Sequence, residues 1–196
     1  MQNQERYPNA IVLTGSVGCG KSTVAAMLAL HGFRVFDADL ISREVFNANL
    51  TAIEAAFGTV DRKIIGDRLF ANSADRAALE TIMHPAIRAE ILRRCDEQES
   101  LGSRYFVDIP LFFERRSEYP FSLVAVVYAP REIAEARLIA SRNLGVDRAK
   151  AMIASQLPIE TKTALATWTI DNSGDIRALT KIVDRFVRTI LDLKQR

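Results

Sequence analysis

The chain has 196 residues, enough for one domain with a substantial core or for one core with insertions. Hydrophobic residues make up 48% and charged residues 26%, a balance that excludes a disordered or fibrous chain. The formal net charge is +2, from 26 basic and 24 acidic residues, so neither a nucleic acid nor a membrane is expected as partner. Two unpaired cysteines and no recognisable secretory or spanning segment favour a reducing cytoplasm.

The predicted strands are short apolar runs that alternate with helical segments. The first covers residues 10–14, runs into glycines and precedes an alanine-rich helix. The others are predicted at residues 34–37, 105–109, 123–128 and 168–171. The longer runs are apolar on both faces, which is typical of strands buried in a parallel sheet.

Between the second and third strands, residues 40–104 repeat apolar positions at helical spacing and are predicted to be a helical insertion. Helix breaks are expected at Gly58, Gly66, Asn72 and His84-Pro85. Ser73 is predicted to cap a helix over residues 74–83, and Pro85 to open the next one.

Three further helices are predicted after the fourth strand. Pro130 opens a helix that runs to about Arg142, and Asp147 caps another that runs to about Gln156. Gly174 and Asp175 introduce the last helix, over residues 176–193.

A phosphate-binding motif follows the first strand. The sequence G-x-x-x-x-G-K-[ST] is matched without a gap by Gly15, Ser16, Val17, Gly18, Cys19, Gly20, Lys21 and Ser22, with Thr23 next. Backbone N–H groups and the helix N-terminus attract phosphates, Lys21 bridges the terminal phosphates, and Ser22 offers a hydroxyl to Mg²⁺. The alternative is a glycine-rich turn with a solvated lysine. Because kinases, GTPases and motor ATPases share this loop, it does not identify the acceptor.

Two carboxylates, Asp37 and Asp39, follow the second strand. The carboxyl ends of parallel strands line the ligand crevice, so both acids are candidates for the γ-phosphate site. One carboxylate would accept the proton of the attacking hydroxyl, and the other would hold metal-bound water. Alternatively, either residue could cap a helix beginning near Leu40.

Over nearly the whole chain, the sequence resembles the dephospho-coenzyme A kinase family. The matching features occur in the same order as in that family, and they are residues 14–23, Asp37-Ala-Asp39 with Arg43, Asp61-Arg62, His84-Pro85, residues 108–114, Gln156, Lys162 and residues 171–174. The resemblance implies a three-layer α/β P-loop NTPase fold with a mostly parallel five-stranded sheet. It also implies one kinase domain with a core at about residues 9–40, 104–136 and 166–196, a helical substrate-binding insertion at 41–103, and a helical lid at 137–165.

The implied reaction moves the γ-phosphate of ATP, with Mg²⁺, to the ribose 3′-hydroxyl of dephospho-coenzyme A. Asp39 would be the base, Asp37 would support the base or the metal, and Lys21 would act on the phosphates. The chain is expected to be a cytoplasmic monomer or weak homo-oligomer.

Five other side chains are candidates for the site. Arg137 and Arg142 would clamp the transferred phosphoryl group from the lid, although arginines on an amphipathic helix usually form a solvated face. Arg62 and Glu114 are predicted substrate contacts, with a surface role and a capping role as alternatives. His84 is predicted to position substrate or to be structural, because kinases of this type need no imidazole base.

Three positions depart from the family's usual sequence. The family usually reads T-G-G-I-G in the loop, where this chain has Ser16 and Val17, and it usually has an acid where this chain has Thr167. Cys19 is predicted to fill space, with a lowered pKa beside Lys21 as the alternative. Two rival functions remain at this point: another small-molecule or nucleoside monophosphate kinase, and a regulatory protein that binds nucleotide without transfer.

Overall fold

The computed structural model describes residues 6–142 and 145–192. Its β-sheet contains the five predicted strands. They are β1 (Ala10–Gly15), β2 (Arg34–Asp37), β3 (Tyr105–Asp108), β4 (Leu123–Tyr128) and β5 (Trp168–Asp171). Their order is β2-β3-β1-β4-β5. β1 pairs in parallel with β3 and β4, and β4 pairs in parallel with β5. The predicted α/β fold class is confirmed.

Burial on both faces of the sheet explains why its strands read as continuous apolar runs. In β1, Ile11 and Leu13 point into a core shared with α1 (Lys21–Leu30) and α9 (Ile176–Asp192). Val12, between them, faces the other way and is also fully buried. Each such side chain contributes about 1.5–3 kcal/mol by leaving water. Burial on both faces therefore fixes β1 in the sheet, and the phosphate loop follows directly from its end.

The chain divides into two compact units. One consists of residues 1–36 and 95–196 and contains most of the sheet, and the other is Asp37–Arg94. The second unit is helical, as predicted, with α2 (Ala38–Ala48), α3 (Leu50–Phe57), α4 (Arg62–Ala71) and most of α5 (Ser73–Glu99). Its buried side chains include Ile41, Ile53, Ile65, Met83 and Ile91.

Three local predictions in this helical region are wrong. Gly66 lies inside α4 and Pro85 lies inside α5, so neither ends a helix. A proline removes one backbone hydrogen bond of a helix and bends its axis. The backbone hydrogen bonds of the turns before and after Pro85 keep α5 continuous from Ser73 to Glu99. Ser73 is the first residue of α5 rather than its cap, because the side chain of Asn72 accepts the Ala74 N–H at 2.9 Å.

The region after β3 contains a 3-10 helix (Phe113–Glu118) and the helices α6 (Arg131–Arg142), α7 (Val146–Ala154) and α8 (Ile159–Ala164). The predicted cap at Asp147 is wrong. α7 begins two residues earlier than that cap implies, with Gly145 as its N-cap. Asp147 therefore lies in the first turn, where its negative charge still interacts favourably with the helix dipole. None of the helices in the described ranges has the length and hydropathy needed to cross a membrane.

Candidate active site

The loop between β1 and α1 has the backbone shape of a phosphate cradle. Gly18 and Gly20 adopt positive φ angles of 81° and 86°, which residues with a side chain rarely adopt. A Cβ on Gly18 would lie 2.5 Å from the carbonyl oxygen of Ala134, and a Cβ on Gly20 would run into the side-chain amide of Asn172. Both glycines are thus required by conformation and by space.

Several N–H donors of this loop are open. Within the described ranges, no hydrogen-bond partner is found for the N–H groups of Gly18, Gly20 and Ser22, whereas the Cys19 N–H donates to the carbonyl of Ser16 at 3.1 Å. Open N–H groups at the start of a helix attract anions, since the helix dipole adds partial positive charge there. The geometry fits the polyphosphate of a nucleotide.

Lys21, the first residue of α1, forms an ion pair with Asp108 at the end of β3. The Asp108 side chain is only 6% exposed and that of Lys21 is 18% exposed. A largely buried carboxylate requires such a partner, because unpaired charge in the interior is costly. Asp108 therefore holds the lysine ammonium beside the phosphate loop.

Asn172, just after β5, supports the loop from its other side. Its side-chain N–H donates to the carbonyl of Cys19 at 2.7 Å, and its backbone N–H donates to the carbonyl of Tyr128 at 2.7 Å. Asn172 is buried, so both bonds are shielded from water. The side chain links the end of the sheet to the loop's backbone.

Arg137, one of the two arginines predicted to act from a lid, lies beside the loop. From α6, its guanidinium approaches the carbonyl oxygens of Cys19 and Gly174, both at 3.5 Å. Both contacts are at the long limit of hydrogen bonding, so the group is loosely held. Arg142 is the last residue of α6, and its side chain lies outside the described part of the chain. The clamping role of either arginine stays a prediction.

We expect Arg137→Ala to lower turnover about 10- to 100-fold, the usual loss for a hydrogen bond to a charged group. The melting temperature should change little, because both described contacts are long. Steady-state kinetics and thermal unfolding of Arg137→Ala, Arg142→Ala and the exposed α9 control Arg188→Ala would check this. Normal turnover in both lid variants would contradict the prediction.

Glu114, predicted to contact substrate, has partners within its own unit. Its Oε1 lies 2.8 Å from the ammonium of Lys162 and accepts the Leu157 N–H at 3.1 Å. Burial raises the pKa of this carboxyl, but the bonds from Lys162 and Leu157 outweigh burial and hold the pKa below its usual value. Substrate contact by Glu114 stays a prediction. Its Oε1 is already bonded to Lys162 and Leu157.

The Cys19 thiol is buried beneath the loop, as the prediction of a space-filling role requires. Burial raises its pKa to about 11, although the ammonium and the backbone N–H of Lys21 both act in the opposite direction. The alternative of a lowered pKa is therefore wrong. Desolvation, helped by the negative charge of Asp108, exceeds the attraction of the Lys21 and Lys162 ammonium groups.

This leads us to expect that the native protein resists alkylation. At pH 7.5 iodoacetamide should modify neither Cys19 nor Cys95, whose pKa burial raises to about 12, because the thiolate is the reacting species. Intact mass after an hour would check this, with urea-unfolded protein as the control that takes two adducts. Rapid single labelling at Cys19 would contradict it.

Asp37 and Asp39 lie in the second unit, and the structure distinguishes their local roles. α2 begins at Ala38, and Asp37 is its N-cap, with Oδ1 accepting the N–H groups of Asp39 and Leu40 at 2.8 and 3.2 Å. Asp39 is exposed, and its carboxylate has no partner among the described residues. The capping alternative therefore applies to Asp37 and leaves the Asp39 carboxylate available.

Arg62 and His84 also lie in the second unit. Arg62 donates to the carbonyl of Arg43 at 2.9 Å and to the side chain of Asn47 at 3.0 Å, and its guanidinium lies 4.4 Å from the ring centre of Phe46. It thus ties α4 to α2. His84 lies inside α5. Their predicted substrate contacts stay predictions.

Thr167, where the family usually has an acid, has a structural role. Its hydroxyl accepts the Val124 N–H at 3.0 Å, while its own N–H donates to the Val124 carbonyl at 2.8 Å. These bonds align the start of β5 with β4. A carboxylate could accept the same N–H, so threonine preserves this contact.

Sequence reasoning assigned no role to three side chains that touch the loop or its lysine. Asp108 could have been found by the rule that selected Asp37, since both end a parallel strand. Asn172 and Gln156 reach the loop from more than 130 positions away. No local pattern marks them.

A glycine-rich loop with a helix-start lysine, at the carboxyl end of the central strand of a parallel sheet, defines a P-loop nucleotide-binding protein. A family model described as "CoaE: Dephospho-CoA kinase" matches residues 9–178. The chain belongs to the dephospho-CoA kinase family, and the resemblance found in the sequence is confirmed.

Individual relatives agree with this assignment. The dephospho-CoA kinase of Wolinella succinogenes is 38% identical over 92% of this chain and 94% of its own length. The crystal structure of TT1252 from Thermus thermophilus superposes with a TM-score of 0.79 at 30% identity, covering 95% of this chain and 97% of that one. The dephospho-CoA kinase of Campylobacter jejuni gives 0.71 at 30% identity, with coverages of 93% and 97%.

Proposed function

We propose that this protein transfers the γ-phosphate of ATP to the ribose 3′-hydroxyl of dephospho-coenzyme A, giving coenzyme A and ADP. The carrying observation is the phosphate loop, with open N–H donors beside the Lys21–Asp108 pair. The choice of acceptor is supported by family membership, since the loop alone is common to many acceptors.

In the proposed reaction, the acceptor oxygen bonds to the γ-phosphorus while the bond from that phosphorus to the β,γ-bridging oxygen breaks. ADP is the leaving group. The charge that develops on the phosphate oxygens is stabilised by the loop N–H groups and the Lys21 ammonium, which are oriented before reaction.

The proton of the acceptor hydroxyl would pass to Asp39. A base must be ionised and unobstructed, and Asp39 is exposed with a carboxylate that has no partner in the described part of the chain. Asp37 is less suited, because its Oδ1 already accepts two backbone N–H groups as the cap of α2. This contrast supports Asp39 as the base.

Mg²⁺ would be held in part by Ser22. Its side chain is exposed at the helix start, and no bond is found to its hydroxyl within the described ranges, so the position fits a hard cation that also binds phosphate oxygens. Bound there, the ion would neutralise phosphate charge. The described residues contain no group of three His, Cys, Asp or Glu side chains that could hold a metal.

An acceptor panel tests the proposal. Purified protein, ATP and Mg²⁺ are incubated with dephospho-coenzyme A, adenosine monophosphate or pantothenate, and ADP and product are measured by chromatography. We expect ADP to form only with dephospho-coenzyme A, in equal amount to coenzyme A. A preference for adenosine monophosphate would indicate a nucleoside monophosphate kinase, and no acceptor-dependent ADP would indicate a regulatory binding protein.

A further inference from the structure

Lys162 is a basic side chain with no exposure to solvent. It is fully buried in α8, and its ammonium lies 2.8 Å from Glu114 Oε1. Beyond that carboxylate, no hydrogen-bond partner is found for it among the described residues. A buried ion pair is weak evidence for stability, because desolvation offsets much of the attraction. Its position suggests a different role.

The same carboxylate oxygen holds the backbone of the segment that leads into α8. Glu114 Oε1 accepts the Leu157 N–H at 3.1 Å. Lys162 and Leu157 therefore share one acceptor, and Glu114 fixes the chain where α7 has ended and α8 has not begun. Bonds to an ionised acceptor are stronger than neutral ones.

The residue immediately before Leu157 reaches the phosphate loop. Gln156 Oε1 accepts the Val17 N–H at 3.0 Å. Val17 lies beside Gly18, whose N–H is among the open donors of the loop. Gln156 thus engages a loop donor next to the open ones and leaves those free. On the other side, Asn172 holds the Cys19 carbonyl at 2.7 Å.

We propose that Gln156, Glu114 and Lys162 form a positioning clamp for the phosphate loop. Lys162 and Glu114 fix the backbone at Leu157, and Gln156 transmits that position to Val17, so the loop is held in the shape that presents its open N–H groups to phosphate. Holding a site in its bound shape improves affinity, because less conformational entropy is lost on binding. The inference rests on the proposed function only in that a nucleotide phosphate occupies the loop.

The test is Gln156→Met, which keeps side-chain length and removes the acceptor. We expect the Kd for ADP, measured by calorimetry with Mg²⁺, to rise about three- to tenfold, the usual effect of losing one hydrogen bond. KM for ATP should rise similarly and kcat should change less. The matched control is Gln98→Met, which removes another glutamine side-chain bond, to Ser103, and should leave ADP affinity unchanged.

A double-mutant cycle tests the connection to the ion pair. Glu114→Ala should also weaken ADP binding, and combining it with Gln156→Met should add little, because both changes release the same contact. Should Glu114→Ala fail to fold, Lys162→Met replaces it in the cycle. Unchanged ADP affinity in a folded Gln156→Met protein, or fully additive losses, would overturn the clamp. Since ADP binding requires no acceptor, failure of the acceptor panel would leave this result interpretable.

Discussion

Lys21→Ala should lower kcat about 100- to 1,000-fold, the range seen when one charge-stabilising donor is removed from a transition state. The lysine is a cation beside the phosphate loop, at the first position of α1, where Asp108 holds it. Steady-state kinetics with ATP and dephospho-coenzyme A would measure the loss. Near-normal turnover in a folded variant would refute this site.

Stability needs a separate control, because Lys21→Ala leaves the buried Asp108 carboxylate without its lysine. Breaking one side of a buried pair typically destabilises a protein by about 3–5 kcal/mol. The double variant Lys21→Met with Asp108→Asn removes both charges. We expect its melting temperature to recover while turnover stays low, which would separate catalysis from folding.

Asp39→Asn is expected to lower turnover about 100- to 10,000-fold, the usual contribution of a positioned general base. Asparagine keeps the shape of the side chain and removes its basicity. ADP affinity and melting temperature should change little, because the Asp39 side chain has no described partner.

Asp37→Asn is the matched comparison. Asn and Asp rank alike as helix caps, so this variant should keep the α2 cap and a nearly normal melting temperature. Its turnover should exceed that of Asp39→Asn. A larger loss at Asp37 would reverse the two assigned roles, and normal turnover in both variants would exclude a carboxylate base at this segment.

The features that the sequence predicts well are contiguous. The phosphate loop, the five strands and most helices are encoded by neighbouring residues, through glycine conformation, apolar runs and helical spacing. The contacts that escape prediction join distant positions. Asn172 and Gln156 reach the loop only after the sheet has brought their segments together, and single-sequence patterns carry no information on such pairs.

The local errors have a common cause, which is the weakness of single-residue signals. Gly66 and Pro85 disfavour a helix by amounts that flanking turns and packing can exceed, so both lie within helices. Which of Asp37 and Asp39 caps the helix could not be predicted, because it depends on where α2 begins, and helix boundaries are the least certain feature of a sequence-based assignment. A shift of two residues decides which acid is the cap.

The contacts of the phosphate loop also bear on the order in which the chain folds. Gln156 and Asn172 lie 139 and 153 positions after their loop partners, so the loop cannot be completed until most of the polypeptide has been synthesised. Contacts between distant positions form late, because the chain must lose the conformational entropy of the intervening segment before such a contact can stabilise the fold. A nascent chain that carries the whole motif would therefore bind nucleotide weakly. Nucleotide affinity, measured on ribosome-bound chains of increasing length, should report the completion of the fold.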